Sequence, residues 1–382
     1  MTTISRRQVL GLMGASVVFP SVINAQGNTP IKIGGLLPLS GAGAIEGHQV
    51  IQGFEFAFAE ANAAGGINGR SLELIVEDDE SNSSKGVTAV RKLIEREKVP
   101  FILGTYPTAV AVAASKVARE YGVPMLSGGS TGAQATDENP EGDPWFFRPW
   151  PDSNLQGEDT AKAIVHQFNA KRVAIIHDNT NYGTTLAKQC KAVVEREGGE
   201  IIFTDNYNIG EQDFSSMLTR LRQLRPDAVY IGGWAGDGAT IVREADVVGL
   251  RTQFVGSGSM LSDDFIELAG EASEGFAVAT MFEPSTPNHV GQAFAKRFTD
   301  STGNDTNTLV ALGFDSASIG IEALRRAGEV DGRKVQEILK SGMGDFDLVQ
   351  GPEGTTAAFD EKGSVNFPTF IAIVKDGKRV LS

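Results

Sequence analysis

The side chains best suited to bind something lie in one short turn. Ser127, Gly128, Gly129, Ser130, Thr131 and Gly132 follow the apolar run Val123–Leu126, with Pro124 near its start. The run reads as a buried strand that carries proline where a missing N–H costs least. Gly128 and Gly129 let backbone N–H groups face a ligand without side chains in the way, and three hydroxyls add donors. At the carboxyl end of a parallel strand, such a turn suits a small anion. Other chemistries lack their residues. His48, His166, His177 and His289 show no ligand spacing with one another or with Cys190. Gly41-x-Gly43-x-x-x-Gly47 misses the dinucleotide spacing, no P-loop occurs, and no histidine is assignable as the base of a serine nucleophile. Asp78-Asp79 read as surface acids beside Ser81-Asn82-Ser83 rather than as metal ligands. No cofactor, metal or catalytic activity is expected.

The elements around this turn alternate strictly. Ile31–Pro38, Leu72–Val76, Pro100–Gly104 and the run before Ser127 read as strands. Between them, helices are expected from about Gly53 to Asn62, Ser84 to Glu97 and Thr108 to Glu120. Such alternation implies right-handed βαβ units and a parallel sheet. Asn139 to Pro151 breaks the rhythm with Pro140, Pro144, Pro149 and Pro151, holds Trp145–Arg148 as a short extended run, and reads as a crossing between two lobes, with Arg148 a candidate hinge ion-pair partner. The alternation restarts with strands at Val173–His177, Ile201–Phe203, Ala228–Ile231 and Phe254–Gly256, and intervening helices. Further helices near 290–301, 309–327 and 333–340 precede two strands, at Ala358-Phe359 and Phe370–Val374. The fold class is therefore α/β, with two similar lobes and a cleft that can close on a ligand.

The chain of 382 residues has room for about two domains. A net charge of −14 argues against nucleic acid and anionic membrane surfaces, and a single cysteine allows no internal disulfide. Residues 1–25 read as an export signal. Ser5-Arg6-Arg7 opens it, an uncharged apolar stretch from Gly11 to Val22 follows, and cleavage is expected after Ala25. The paired arginines resemble a twin-arginine signal, which places the mature protein in the periplasm. No later segment is apolar and long enough to cross a bilayer.

In order and spacing, several motifs resemble the substrate-binding proteins of branched-chain amino-acid-type ABC transporters, the type I periplasmic binding proteins. They are Gly35–Gly41, Ala61–Gly69, Glu77-Asp78-Asp79, Ile176–Gly183, Gly210–Phe214 and Gly313–Ala317. The resemblance implies two Rossmann-like lobes joined by a three-strand hinge. Lobe one would be 28–148 plus 281–369 and lobe two 149–280 plus 370–382. It implies a monomer that captures a small molecule and hands it to permease subunits. A ligand sensor on the same fold is the alternative.

Carried over residue by residue, the family's pocket puts Thr108 on the ligand carboxylate, and Gly129 and Thr131 where they give the ligand a carbonyl, an amide and a hydroxyl. Thr108 also stands at a helix start, where N–H groups point the same way, and could be a plain N-cap. Ser127 is a candidate on the same turn, or a turn hydroxyl. Tyr182 matches a tyrosine that closes from lobe two, Trp234 an aromatic on the cleft wall, and Tyr106 is a further candidate. Two positions depart from the pattern. Amino-acid binders carry an acid for the ligand ammonium where this chain has Gly258. Glu46 stands where relatives often carry an aromatic. It either replaces the missing acid from the other lobe or is a solvated acid in a helix first turn. The glycine points to a carboxylate ligand without an α-amino group, an aromatic or aliphatic acid, with amino-acid binding as the alternative.

Overall fold

The structure is a computed structural model that describes residues 29–382, so the expected leader and its cleavage site lie outside the described residues. Lobe one begins as β1 (Ile31–Leu37), α1 (Ala44–Ala63), β2 (Leu72–Asp78), α2 (Ser83–Glu95), β3 (Ile102–Gly104), α3 (Thr108–Glu120), β4 (Met125–Leu126), the short α4 (Gln134–Asp137) and β5 (Phe146–Phe147). Its five strands pair in parallel in the order β2-β1-β3-β4-β5. The second sheet draws on α5 (Ser153–Lys162), β6 (Arg172–Asp178), α6 (Asn181–Arg196), β7 (Glu200–Tyr207), α7 (Ser215–Leu224), β8 (Ala228–Gly232), α8 (Ala235–Val248), β9 (Gln253–Gly256), α9 (Asp263–Ala269) and β10 (Ala277–Thr280). The chain then returns to the first lobe through α10 (His289–Thr302), α11 (Thr308–Ala327), α12 (Gly332–Lys340) and the ribbon β11 (Met343–Asp347) with β12 (Thr356–Ala357). It ends as β13 (Phe370–Lys375) and β14 (Lys378–Leu381), antiparallel additions to the second sheet, whose order is β14-β13-β10-β9-β8-β6-β7.

Side-chain chemistry sets the ends of these helices. Asn82, Asp152, Asn288 and Asn307 each accept two backbone N–H bonds at a helix start, and Gly249, Gly303 and Gly328 close α8, α10 and α11 in the left-handed conformation. The two longest helices, α1 and α11, meet where neither has a side chain. A Cβ on Gly53 would stand 2.1 Å from the Val310 carbonyl oxygen, and one on Gly313 would stand 2.1 Å from that of Val50. This contact anchors α11 against the ring cluster Phe56, Phe294, Phe298 and Phe314.

The proline-rich segment holds the expected short extended run. Its Phe146-Phe147 pair is the edge strand β5, lying beside β4. Arg148 forms no ion pair among the described residues. It is buried, donating from Nη1 to Gly132 O (3.1 Å), from Nε to Trp150 O (3.2 Å) and from Nη2 to Ser364 Oγ (2.8 Å). Its main chain bonds to Gly363 and Val365, so 146–148 and 363–365 run side by side where the chain leaves the first sheet. Asp79 also departs from expectation. It is fully buried, caps its own turn at Ser81 N (2.8 Å) and bonds the Thr105 hydroxyl, and burial pushes its carboxyl up to about 6. Asp78 holds the first loop, taking N–H bonds from Leu39 (2.9 Å) and Ser40 (3.3 Å).

Candidate functional site

The turn after β4 is built as a donor-lined wall. Gly129 has φ +125°, and a Cβ there would lie 2.1 Å from the Tyr106 ring, so only glycine lets Tyr106 lie flat against the turn. Thr108 is the first residue of α3, and Pro107 occupies the cap position without a side-chain bond. The Thr108 hydroxyl is thus not an N-cap. Its Oγ1 accepts from Gly132 N (3.2 Å) and from Ser130 Oγ (3.2 Å), tying the helix start to the glycine turn. Ser127 works inside the turn, accepting from Gly129 N (3.3 Å) and donating to Ser130 O (3.2 Å).

Across the cleft, Tyr182 is the second residue of α6 and Trp234 caps the start of α8. The Trp234 ring lies between two tyrosines, 5.8 Å from Tyr106 of the first lobe and 5.9 Å from Tyr182 of the second. The Tyr182 hydroxyl reaches the side chains of Ser257 and Thr131. Tyr106, Thr108, Gly129, Thr131, Tyr182 and Trp234 together line a tight space of about 10 Å³. That is room for about one water, so a ligand enters only when these walls part. A wider recess, of about 550 Å³, opens between the lobes at His48, Gln52, Asp263, Asp264 and Asp305. It is broad and open to solvent, whereas the aromatic space converges buried donors on one volume, and we place the site in the latter.

Ser127, Gly258 and Glu46 stand outside the lining of that space. Gly258 starts a short 3-10 turn after β9, and a Cβ there would meet only Ala279 O at 3.7 Å and Gln156 Oε1 at 3.8 Å. The position has room for a side chain, and the sequence places none. Glu46 is not a solvated acid. It is 1% exposed, and its Oε1 accepts from Ala235 N (3.3 Å) at the N-terminus of α8, across the lobe boundary. Its Oε2 has no hydrogen-bond partner, nor does Trp234 Nε1. Burial pushes the Glu46 carboxyl up to about 7, and Asp237 and Asp264 add to the rise.

Sequence reasoning missed several polar groups here. Ser153 donates its N–H to Thr131 O (2.7 Å), while its own buried hydroxyl has no partner. Behind Gly233 lie the Tyr207 hydroxyl and Asp178 Oδ2, and Asp237 acts on that tyrosine; these two oxygens and Asp237 Oδ2 are buried and without partners. Asp237 is detectable only as an acid in the first turn of a helix, a common pattern on solvated surfaces.

The family model described as periplasmic binding protein matches residues 30–379. The chain belongs to the periplasmic binding protein family. It is similar to the Leu/Ile/Val-binding protein homolog 1 of Brucella suis biovar 1, 29% identical over 89% of both chains. It is also similar to the Leu/Ile/Val-binding protein homolog 2 of Brucella abortus, 30% identical over 89% of each. Among solved structures, a leucine binding protein from Thermotoga maritima superposes with a TM-score of 0.83 at 26% identity, covering 92% of this chain and 97% of that one. A solute binding protein from R. palustris in complex with benzoate shares the fold, with a TM-score of 0.81 at 23% identity, over 92% and 95% of the two chains. This periplasmic binding protein thus has the two-lobed α/β fold of the type I class. Its family serves ABC transporters by binding their substrates and is not enzymatic. Among the described residues, no helix is long and apolar enough to cross a membrane.

Proposed function

We propose that this periplasmic binding protein captures a small aromatic or aliphatic acid lacking an α-amino group and delivers it to an ABC permease. Lobe one, 28–148 plus 281–369, holds the ligand carboxylate with the Gly129 and Thr131 turn, the Thr108 hydroxyl and the N-terminus of α3. Tyr182 and Trp234 of lobe two, 149–280 plus 370–382, close over the apolar body together with Tyr106. Ser127 shapes the turn from within. The protein is exported by the twin-arginine route, is cleaved after Ala25, and acts as a monomer.

The observation that carries this reading is Gly258. The place has room for a Cβ, and no acid stands at that position to face an ammonium group. Enclosing an unpaired ammonium would cost about 3–5 kcal/mol, as breaking a buried ion pair does. The benzoate in the R. palustris protein supports an acid of this class on this fold. Amino-acid binding is the second reading. It draws on the names of the Brucella and T. maritima proteins and on the unpartnered Oε2 of Glu46, which could face an ammonium from lobe one. Isothermal titration of the mature chain with leucine and with benzoate separates the two. Binding heat from benzoate and none from leucine is expected, and tight leucine binding would overturn the proposal.

A further inference from the structure

Glu46 belongs to α1 of the first lobe, yet its carboxylate is sealed against the second. Oε1 takes the N–H of Ala235, one of the open donors at the start of α8, and Oε2 meets no donor. The groups acting on it are Asp237 of α8 and Asp264 of α9, both acidic, and it in turn acts on the phenols of Tyr106 and Tyr182. No lysine, arginine or histidine is among them. Gln49, one turn further along α1, also crosses the boundary to bond the Asp264 carboxylate. The closed cleft thus encloses a carboxyl group with one satisfied oxygen, one unsatisfied oxygen, acidic neighbours and no countercharge. An ionised carboxylate is costly in such a place, and a neutral one much less so.

We propose that Glu46 is a proton-dependent latch between the lobes, so that the cleft closes on a monoanionic acid only with a proton from solvent bound to the Glu46 carboxyl. The inference rests on the acid-ligand reading above. The balance is simple. The acid enters as its anion, one proton moves from solvent to a carboxyl oxygen of Glu46, and the cleft gains no second negative charge. Reopening returns both. Glu46 is then a specificity-determining residue for ligand charge, because a dianion would need a further proton that no group in the cleft supplies.

The sign follows from linkage. When the lobes part, Glu46 meets water and titrates near its ordinary 4.5, whereas the closed cleft pushes it up to about 7. Closure is therefore favoured at low pH and is lost as pH rises through the closed-state value. Across that window closure weakens about tenfold for each pH unit.

The test is small-angle scattering of the ligand-free mature chain at about pH 5.5 and pH 8, with Glu46→Gln beside it. We expect a compact native chain at the lower pH and a larger radius of gyration at the higher, with Glu46→Gln, permanently neutral, compact at both. Identical native profiles at the two pH values, or a variant that follows the native chain, would overturn the latch. A thermal melt confirms that the variant is folded, and the native comparison stands without it. Titration of benzoate in two buffers of different ionisation enthalpy should show uptake of about half a proton per ligand at about pH 6.5, where the ligand-free chain is largely open. Benzoate binding without uptake would also overturn the latch. Tight leucine binding would instead overturn the ligand reading, while the scattering, made without ligand, still reads the latch by itself.

Discussion

Gly258→Glu puts back the acid that the second lobe lacks. The first atoms a Cβ at 258 meets are two oxygens at ordinary contact distance, Ala279 O at 3.7 Å and Gln156 Oε1 at 3.8 Å. Gln156 is held in that sense, because its Nε2 donates to Pro151 O at 2.9 Å. A new carboxylate would therefore face acceptors and gain little from the protein itself. It would act on the ligand. Against a bound carboxylate at about 4 Å, with an effective dielectric of about 20, the repulsion is about 4 kcal/mol. That lowers benzoate affinity by roughly a thousandfold. Against an ammonium, the same group supplies a buried ion pair of the kind whose loss costs about 3–5 kcal/mol, so leucine should gain two to three orders of magnitude. Calorimetric titration of native and variant protein with both ligands reads the exchange. Undiminished benzoate affinity in the variant would show that position 258 does not face the ligand, and the argument from its glycine would fall.

Two further outcomes follow from the same contacts. Thr108→Val removes the oxygen that accepts from Gly132 N and Ser130 Oγ, leaving buried donors unpaired. We expect a loss of about 1–3 kcal/mol in a denaturant melt, with a larger loss in ligand affinity; a variant with native affinity would refute the role of that hydroxyl. Six buried carboxyls are held above their ordinary range chiefly by burial: Glu46, Glu283 and Asp315 pushed up to about 7, Asp79 and Asp237 to about 6, and Asp178 raised as well. Each is raised in the folded chain, so its contribution is fully present at low pH and is lost as pH rises through the folded value. The melting temperature should fall between about pH 5 and pH 8, and a flat or rising profile in a calorimetric series would refute the assignment.

Much of the architecture is legible along the chain, because each strand of a parallel sheet covered on both faces is a short apolar run and each helix is an amphipathic interval between runs. Ile31–Leu37, Arg172–Asp178 and Ala228–Gly232 stand out on that ground. Phe146-Phe147 is legible as an extended run but not as an edge strand of the first sheet, because a two-residue edge needs few ladder bonds and tolerates the prolines around it. Thr108, Gly129, Thr131, Tyr106, Tyr182 and Trp234 converge on one volume, and all were identifiable from motif positions. What stayed hidden is the state of polar groups. Glu46 and Asp79 read as surface acids, because acids in helix first turns and after strands are usually solvated. Only the approach of a distant segment buries them, Ala235 for Glu46 and Thr105 for Asp79. Arg148 likewise looks like an ion-pair partner, yet carbonyls gathered from residues 132 and 150 and the Ser364 hydroxyl satisfy its donors.

The pairing of β13 with β10 has a consequence for the order in which the molecule can assemble. Strands β6 to β10 leave the ribosome well before the first lobe receives α11, and the second sheet waits longer still for β13 and β14. Ile373, the partner of Ala277, is made well after it. The first sheet has all five strands by Phe147, whereas the second gains β13 only after the helices that return to the first lobe. The two lobes thus share one order of synthesis, in which the second sheet is finished by strands that follow part of the first lobe.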